Sequence, residues 1–139
     1  MVFEYEHVVQ YYETDQMGVV HHSNYIRWFE EARSYVFDKI GLGCREMEEI
    51  GIISPVVGVS AKYKTMAKYY DTVIVEMALT DFTGVRFKVK YTVKDKKTGE
   101  VRCTGNSEHC FINPEGRILS LKRDRADLYE ELMKYIEKE

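Results

Sequence analysis

The pattern of apolar and polar positions predicts one long helix near the start of the chain. Apolar residues there recur at steps of three and four, the spacing of one helix face, at Tyr25, Phe29, Ala32, Val36 and Ile40, widened by Ile26, Arg33 and Phe37. Ser23 or Asn24 can cap the start of this helix, and Gly41 can end it in a left-handed turn. We therefore predict a helix over residues 23–40, roughly 27 Å long at 1.5 Å per residue.

Most of the remaining apolar residues alternate with polar ones, which is typical of strands with one buried face. Residues 85–94 alternate most regularly, with a face of valine and aromatic residues opposite a face of mainly lysine and arginine. Similar patterns predict further strands at residues 2–9, 57–64, 72–80 and 100–112. We therefore expect an antiparallel sheet of about five strands.

Glycine and proline residues refine the boundaries of these strands. Residues 81–84 and 95–99 each end in glycine and are predicted to be hairpin connections. Pro55 predicts that the strand after it starts late or lies irregularly at a sheet edge. Gly105 interrupts the last strand, so it marks either a bulge or the close approach of another backbone or a ligand.

Two shorter helical segments complete the pattern. Residues 44–50 are weakly amphipathic, and residues 123–138 place Leu128, Leu132, Tyr135 and Ile136 on one face. The order of strand, long helix, about four strands and terminal helix is typical of an α+β fold whose sheet wraps one helix. A chain of 139 residues with 45% hydrophobic content has room for one core, so we predict a single domain over residues 1–139.

Composition narrows the classes of function. The formal net charge of −3 argues against a general nucleic-acid-binding surface. The three cysteines form no CxxC pair and no leader sequence precedes them, which predicts a reducing, cytoplasmic location. No apolar run approaches the length of a membrane span.

Candidate chemistry lies in the polar loop before the long helix, which carries Asp15, Gly18, His21 and His22. Asp15 has two interpretations: a turn residue that bonds its own backbone, or a carboxylate aimed at the amino end of the helix. In the second, the unpaired amide of His22 or Ser23 would bind a developing oxyanion. Asp15 would then act as a nucleophile or as a base for water.

Other chemistries have little support in the sequence. His21 and His22 are adjacent and lack the spaced partners of a metal site, so no metal is predicted. GxGxxG, Walker lysine and GxSxG motifs are absent, and so is any signature of a nucleophilic cysteine. Dinucleotide, nucleotide and serine-hydrolase functions therefore lose their sequence support.

The run YYETDQMGVVHHSNYIRWFEEAR, from Tyr11 to Arg33, closely resembles the signature loop and helix of the hotdog-fold acyl-CoA thioesterases of the 4-hydroxybenzoyl-CoA thioesterase family. The family pattern is similar to D-x-x-G-x-V-x-[HY]-x-x-Y-x-x-[WF], and this chain matches it at Asp15, Gly18, Val20, His22, Tyr25 and Trp28. Tyr70 and Asp71 also resemble the turn that precedes the family's third strand. The resemblance covers nearly the whole chain.

The resemblance implies a hotdog fold that assembles as a homodimer or homotetramer, with its active site at the subunit interface. It implies that Asp15 is the nucleophile or general base and that the His22 amide donates to the thioester oxygen, the His22 side chain being a further catalytic candidate. Expected substrate contacts in the loop and helix are Gly18, Val20, Ser23 and Tyr25. Candidates for the phosphates of coenzyme A are the basic residues Lys62, Lys64, Lys68 and Arg86.

The resulting hypothesis is a cytoplasmic acyl-CoA thioesterase that releases a carboxylate and free coenzyme A. It needs no separate cofactor, since coenzyme A is part of the substrate, and it has no nucleic-acid partner. Two alternatives stay open. One is a non-catalytic acyl-CoA binding protein that uses the same pocket, and the other is a hotdog-fold hydratase or dehydratase.

Overall fold

A five-stranded antiparallel sheet packs against one long helix in the computed structural model, which describes residues 1–136. The strands are β1 (Val2–Val8), β2 (Val56–Tyr63), β3 (Thr72–Phe82), β4 (Arg86–Asp95) and β5 (Val101–Cys110). Their order in the sheet is β1-β3-β4-β5-β2. The helices are α1 (Ser23–Lys39), α2 (Cys44–Glu49), α3 (Leu121–Asp124) and α4 (Ala126–Met133), and one 3-10 turn spans Tyr11–Glu13. The predicted α+β hotdog architecture is confirmed.

Helix α1 is the centre of the core because one of its faces is fully covered by the sheet. The buried apolar residues of this face are Tyr25, Trp28, Phe29, Ala32 and Val36, and the three-and-four spacing predicted all of them except Trp28. The assignment of Ile26 to that face was wrong: its side chain is 37% exposed. One step along a helix turns the side chain by about 100°, which carries Ile26 from the buried face of Tyr25 to the flank.

The start of α1 differs from the predicted cap. His22 occupies the cap position with helical dihedral angles, φ −55° and ψ −30°, so Ser23 and Asn24 lie inside the first turn. The side chain of Asn24 donates instead to the carbonyl of Glu13, at 2.8 Å. The predicted left-handed end is confirmed at Gly41, whose φ is +79°.

The irregularities predicted in the sheet have clear causes. Strand β2 begins directly after Pro55, lies at the edge of the sheet and has a register shift between Val56 and Gly58, which confirms both expectations for this proline. Gly105 pairs in regular register with its neighbours on both sides, so it is not a bulge. A Cβ at Gly105 would lie 2.5 Å from the ring of Phe29 and 2.6 Å from the carbonyl oxygen of Ser60. Close approach therefore explains this glycine.

The end of the chain forms two short helices where the sequence predicted one over residues 123–138. The first helix, α3, starts earlier than predicted because the Ser120 side chain accepts a hydrogen bond from the amide of Arg123. The extended backbone of Arg125, with φ −146°, separates α3 from α4. Residues 137 and 138 of the predicted helix lie outside the described residues. Within residues 1–136, none of the helices has the length and apolar character needed to cross a bilayer.

Candidate active site

A tight turn forms the loop between the 3-10 turn and α1. The amide of Asp15 donates to the carbonyl of Val19 at 2.9 Å, and the amide of Gly18 donates to the carbonyl of Asp15 at 3.0 Å. Gly18 has a φ of +76°, a conformation that glycine adopts without steric cost. The loop therefore holds Asp15 in a defined place just before the helix.

The carboxylate of Asp15 is only partly engaged by this loop. Its Oδ1 accepts a hydrogen bond from the amide of Met17 at 2.8 Å, which is the turn geometry that the sequence offered as one interpretation. No described residue donates a hydrogen bond to its Oδ2. The side chain is partly exposed and shares an open depression of about 440 Å³ with His21, Ser23 and Arg27. The hydrogen bond to Oδ1 therefore fixes the orientation of the carboxylate, and Oδ2 has no hydrogen-bond donor among the described residues.

The two amides proposed for the oxyanion differ in their surroundings. The amide of Ser23 donates to Nδ1 of His21 at 3.2 Å, whereas the amide of His22 has no acceptor among residues 1–136. An unpaired amide at the start of a 17-residue helix is also where the helix dipole favours negative charge. The geometry therefore favours the His22 amide over the Ser23 amide as an oxyanion donor.

Two neighbouring segments fix the start of α1. The hydroxyl of Tyr63, at the end of β2, donates to the carbonyl of His22 at 3.3 Å. The hydroxyl of Tyr25 accepts from the amide of Ala67 at 3.2 Å, and the amide of Val20 donates to the carbonyl of Ala67 at 2.9 Å. Burial raises the pKa of Tyr25, so this hydroxyl is neutral at pH 7. Val20 and Tyr25 are both buried and act as supports for the loop.

A buried carboxylate that sequence reasoning missed lies behind the loop. Glu13 is 3% exposed, and its two oxygens accept from the amide of Gln10 at 2.8 Å, from Nε2 of His7 at 2.7 Å and from Nε1 of Trp28 at 2.6 Å. Burial raises the pKa of Glu13, but these hydrogen bonds outweigh it and hold the pKa below the ordinary value of 4.5. Together with the bond from Asn24 to its carbonyl, Glu13 joins β1, the 3-10 turn and α1.

One sequence signal could have identified Glu13. Gln10 and Glu13 have the i, i+3 spacing of a capping box, and the amide of Gln10 donates to the Glu13 side chain as in that motif. Nothing in the sequence places His7 or Trp28 beside this carboxylate, because both contacts join segments that are distant along the chain.

One of the four predicted basic residues, Lys68, lies beside the loop, opposite Val19 in an isolated bridge. Lys62 and Lys64 flank Tyr63, whose hydroxyl contacts the carbonyl of His22, and their side chains project from the opposite face of the extended chain. Arg86 lies at the far end of the sheet. It pairs with Cys110 of β5 while Lys62 pairs with Thr104 of the same strand, a separation of about 20 Å at 3.3 Å per residue.

The side chains of His21 and His22 are exposed and their ring centroids are 4.2 Å apart. Among residues 1–136, no group of three or more histidine, cysteine, aspartate or glutamate side chains is placed to hold a metal ion. The candidate reactive groups of the loop are thus the Asp15 carboxylate, the backbone amide of His22 and the two exposed imidazoles.

One long helix packed against a five-stranded antiparallel sheet is the hotdog architecture of a class of thioesterases. The chain belongs to the thioesterase-like superfamily, whose family profile matches residues 9–136. This membership confirms the enzyme class predicted from the sequence.

Several known proteins are similar to this chain. YneP of Bacillus subtilis, provisionally named an acyl-CoA thioesterase, is 34% identical over 107 residues, 77% of each chain. The crystal structure of the DHNA-CoA thioesterase from Staphylococcus aureus has a TM-score of 0.88 and 34% identity, covering 96% of this chain and 89% of that one. A hypothetical protein from Thermus thermophilus, TT1821, has a TM-score of 0.88 and 28% identity, covering 99% and 100% of the two chains.

Proposed function

We propose that this protein hydrolyses an acyl-CoA thioester to a carboxylate and free coenzyme A, with Asp15 and the backbone amide of His22 as its reactive groups. The observation that carries the proposal is the unpaired His22 amide at the start of α1, close along the chain to a carboxylate with one unengaged oxygen. These are the two groups that acyl transfer needs: a donor for the developing oxyanion and a nucleophile or base.

In the proposed reaction the thioester oxygen accepts a hydrogen bond from the His22 amide, which polarises the carbonyl carbon. Asp15 then acts in one of two ways. It attacks this carbon and expels the coenzyme A thiolate, forming an anhydride that water cleaves. Alternatively, it takes a proton from a water molecule whose oxygen attacks, and the thiolate leaves from the tetrahedral intermediate. Both routes consume one water molecule and yield a carboxylate and a thiol.

The names of similar proteins support a coenzyme A ester as the substrate. YneP is named for acyl-CoA, and the Staphylococcus aureus relative is named for DHNA-CoA. We assign the phosphates of coenzyme A to three exposed lysines: Lys68 at the loop, and Lys62 and Lys64 on either side of Tyr63. Arg86, about 20 Å along the sheet, contributes to the same site only if a substrate spans that distance.

We further propose a homodimer or homotetramer in the cytoplasm, with no cofactor beyond the coenzyme A of the substrate. Strand β2 supports the oligomer because it is a sheet edge with free backbone groups and exposed side chains at Val56, Val57 and Val59. A second copy that pairs with this edge would cover the three valines and continue the sheet.

The test is thiol release from a panel of short, long, branched and aromatic acyl-CoA esters. Asp15→Asn should lower turnover by about 10² to 10⁴ because it removes the nucleophile or base while preserving the size of the side chain. Asp71→Asn is the matched control: Asp71 also accepts a backbone hydrogen bond in a neighbouring loop, from Lys68 at 2.9 Å, and should leave turnover nearly unchanged.

Each outcome has a defined meaning. Loss of turnover in Asp15→Asn but not in Asp71→Asn would support the proposal, and the best ester would define the acyl class. Full turnover in a folded Asp15→Asn variant would overturn the role of Asp15. Saturable binding of an ester that survives intact would favour the acyl-CoA binding protein, and hydration of an enoyl-CoA ester would favour the hydratase.

A further inference from the structure

A second cavity lies apart from the Asp15 loop. It has a volume of about 300 Å³ and lies between the second half of α1, helix α2 with the segment after it, and strands β4 and β5. Its walls are mostly apolar and include Phe37, Leu42, Met47, Ile52, Phe87 and Phe111. Arg33, which also lines the cavity, is ten residues beyond Ser23, or about 15 Å along the helix axis.

Arg33 is a cation without a counter-ion beside this apolar space. One of its N–H groups donates to the hydroxyl of Tyr91 at 3.1 Å, and the residue is half-buried. No carboxylate of residues 1–136 lies within 4.0 Å of its guanidinium. A guanidinium carries five N–H donors in a fork that matches a carboxylate, and a partly buried charge without a partner is costly.

Behind Arg33, a row of three side chains, Tyr91, Ser107 and His109, has more hydrogen-bond donors than it can pair with acceptors. The hydroxyls of Tyr91 and Ser107 are 2.7 Å apart, and Oγ of Ser107 is 2.7 Å from Nε2 of His109. Arg33, Tyr91, Ser107 and neutral His109 each bring one hydrogen to this row, which contains only three hydrogen bonds. One donor is therefore left over in every arrangement of protons.

When the hydroxyl of Tyr91 donates to Ser107 and that of Ser107 donates to Nε2 of His109, the unpaired donor is the N–H at Nδ1 of His109. His109 is 1% exposed, and its Nδ1 has no hydrogen-bond partner among the described residues. Burial first, and then the charge of Arg33, lower the pKa of His109 to about 4, so the ring is neutral at pH 7. The ring stacks on Phe87, a wall of the cavity, with centroids 4.5 Å apart. One unused donor thus lies behind the Phe87 wall of the cavity, in a ring that does not itself line the cavity.

We propose that this cavity binds a small apolar carboxylic acid as its anion, with the carboxylate on Arg33 and the apolar body against the phenylalanines. A volume of about 300 Å³ lies at the lower end of the range of pockets that bind small molecules, roughly 300–1,000 Å³. A carboxylate supplies the charged acceptor that the Arg33 guanidinium lacks among the described residues. The site lies outside the hydrolytic loop and does not depend on the proposed function.

The test uses 2-naphthoate, whose apolar body has the required size, and its neutral amide, 2-naphthamide, in calorimetric titrations of the full chain. The wild type should bind the anion at least about tenfold more tightly than the amide. Arg33→Gln should remove this preference. Glu30→Gln should increase the affinity for the anion a few-fold, because the Glu30 carboxylate lines the same cavity and repels it. Arg45→Gln, whose guanidinium is 89% exposed on α2, is the matched control and should behave as wild type.

The location is tested by NMR, since the chain has four histidines and only His109 stacks on a wall of this cavity. Addition of 2-naphthoate should shift the His109 ring signals and leave those of His21 and His22 in place. Equal affinity for the anion and the amide would overturn the proposal, and so would unchanged binding in folded Arg33→Gln and Arg33→Lys variants. Binding is measured without turnover and should persist in Asp15→Asn, so a failure of this site and a failure of the thioesterase proposal are separate results.

Discussion

Two carboxylates only two residues apart, Glu13 and Asp15, have opposite surroundings. Glu13 is buried, and its oxygens accept hydrogen bonds from three donors: His7 of β1, the amide of Gln10 just before the 3-10 turn, and Trp28 of α1. Asp15 is partly exposed and accepts a single hydrogen bond from its own loop. A fully satisfied buried carboxylate fixes the structure around it, whereas an incompletely satisfied one near solvent can react. In the proposed mechanism Glu13 accordingly positions the loop and Asp15 performs the chemistry.

The largest expected effect on stability comes from Glu13→Gln. The variant keeps the size of the side chain but replaces an ionised acceptor of three hydrogen bonds with an amide, whose NH₂ group must face one of the donors. The free energy of unfolding should fall by about 2–4 kcal/mol, measured by urea denaturation at pH 7. Asp15→Asn is the matched comparison and should change it by less than about 0.5 kcal/mol. Equal losses of unfolding free energy in Glu13→Gln and Asp15→Asn would contradict the structural role that we give to Glu13 alone.

The dependence of stability on pH should also separate the structural role of Glu13 from the role proposed for Asp15. The pKa of Glu13 is lower in the folded protein than its ordinary value of 4.5, so the folded state favours the ionised form. Its contribution to stability is therefore complete above about pH 4.5 and is lost as the pH falls through the folded-state pKa. The difference in urea midpoint between wild type and Glu13→Gln should narrow from pH 6 to pH 3. A difference that stays constant over this range would show that ionisation of Glu13 does not stabilise the fold.

The smallest expected effect comes from the side chain of His22. In the proposed mechanism the backbone amide binds the oxyanion, and His22→Ala leaves that amide in place. Turnover of the best ester should therefore fall by less than about tenfold, against about 10² to 10⁴ for Asp15→Asn. A loss in His22→Ala as large as that in Asp15→Asn would assign the imidazole a direct role and overturn the backbone assignment.

Local patterns predicted the elements of this fold well. The alternation over residues 85–94 matches β4, and the three-and-four spacing matches the buried face of α1. Both predictions depend only on the period of the side chains along the chain, which the sequence contains directly. The loop with Asp15 and His22 was also found from the sequence, because a turn glycine and a polar segment precede an amphipathic helix.

The internal polar networks could not be predicted in the same way. On β5, Ser107 and His109 lie on the inner face, where the parity of the strand could have identified two polar residues at buried positions. Their partners, Tyr91 and Arg33, come from another strand and from α1. Sequence reasoning assigned Arg33 only to the edge of the helical stripe, and it found no role for His109.

The sequence by itself determined the helix, the strands and the turn that carries Asp15, because each depends on residues near one another along the chain. The sequence left Gly105 open between a bulge and a close approach, and the tertiary structure decided it, because the contacting residues Phe29 and Ser60 are distant along the chain. Only the tertiary structure decided which carboxylate is buried, which amide is unpaired and where Arg33 lacks a counter-ion. These properties depend on how many donors and acceptors from distant segments meet in one place. Such a count follows from the packing of α1 on the sheet and not from the spacing of residues along the chain.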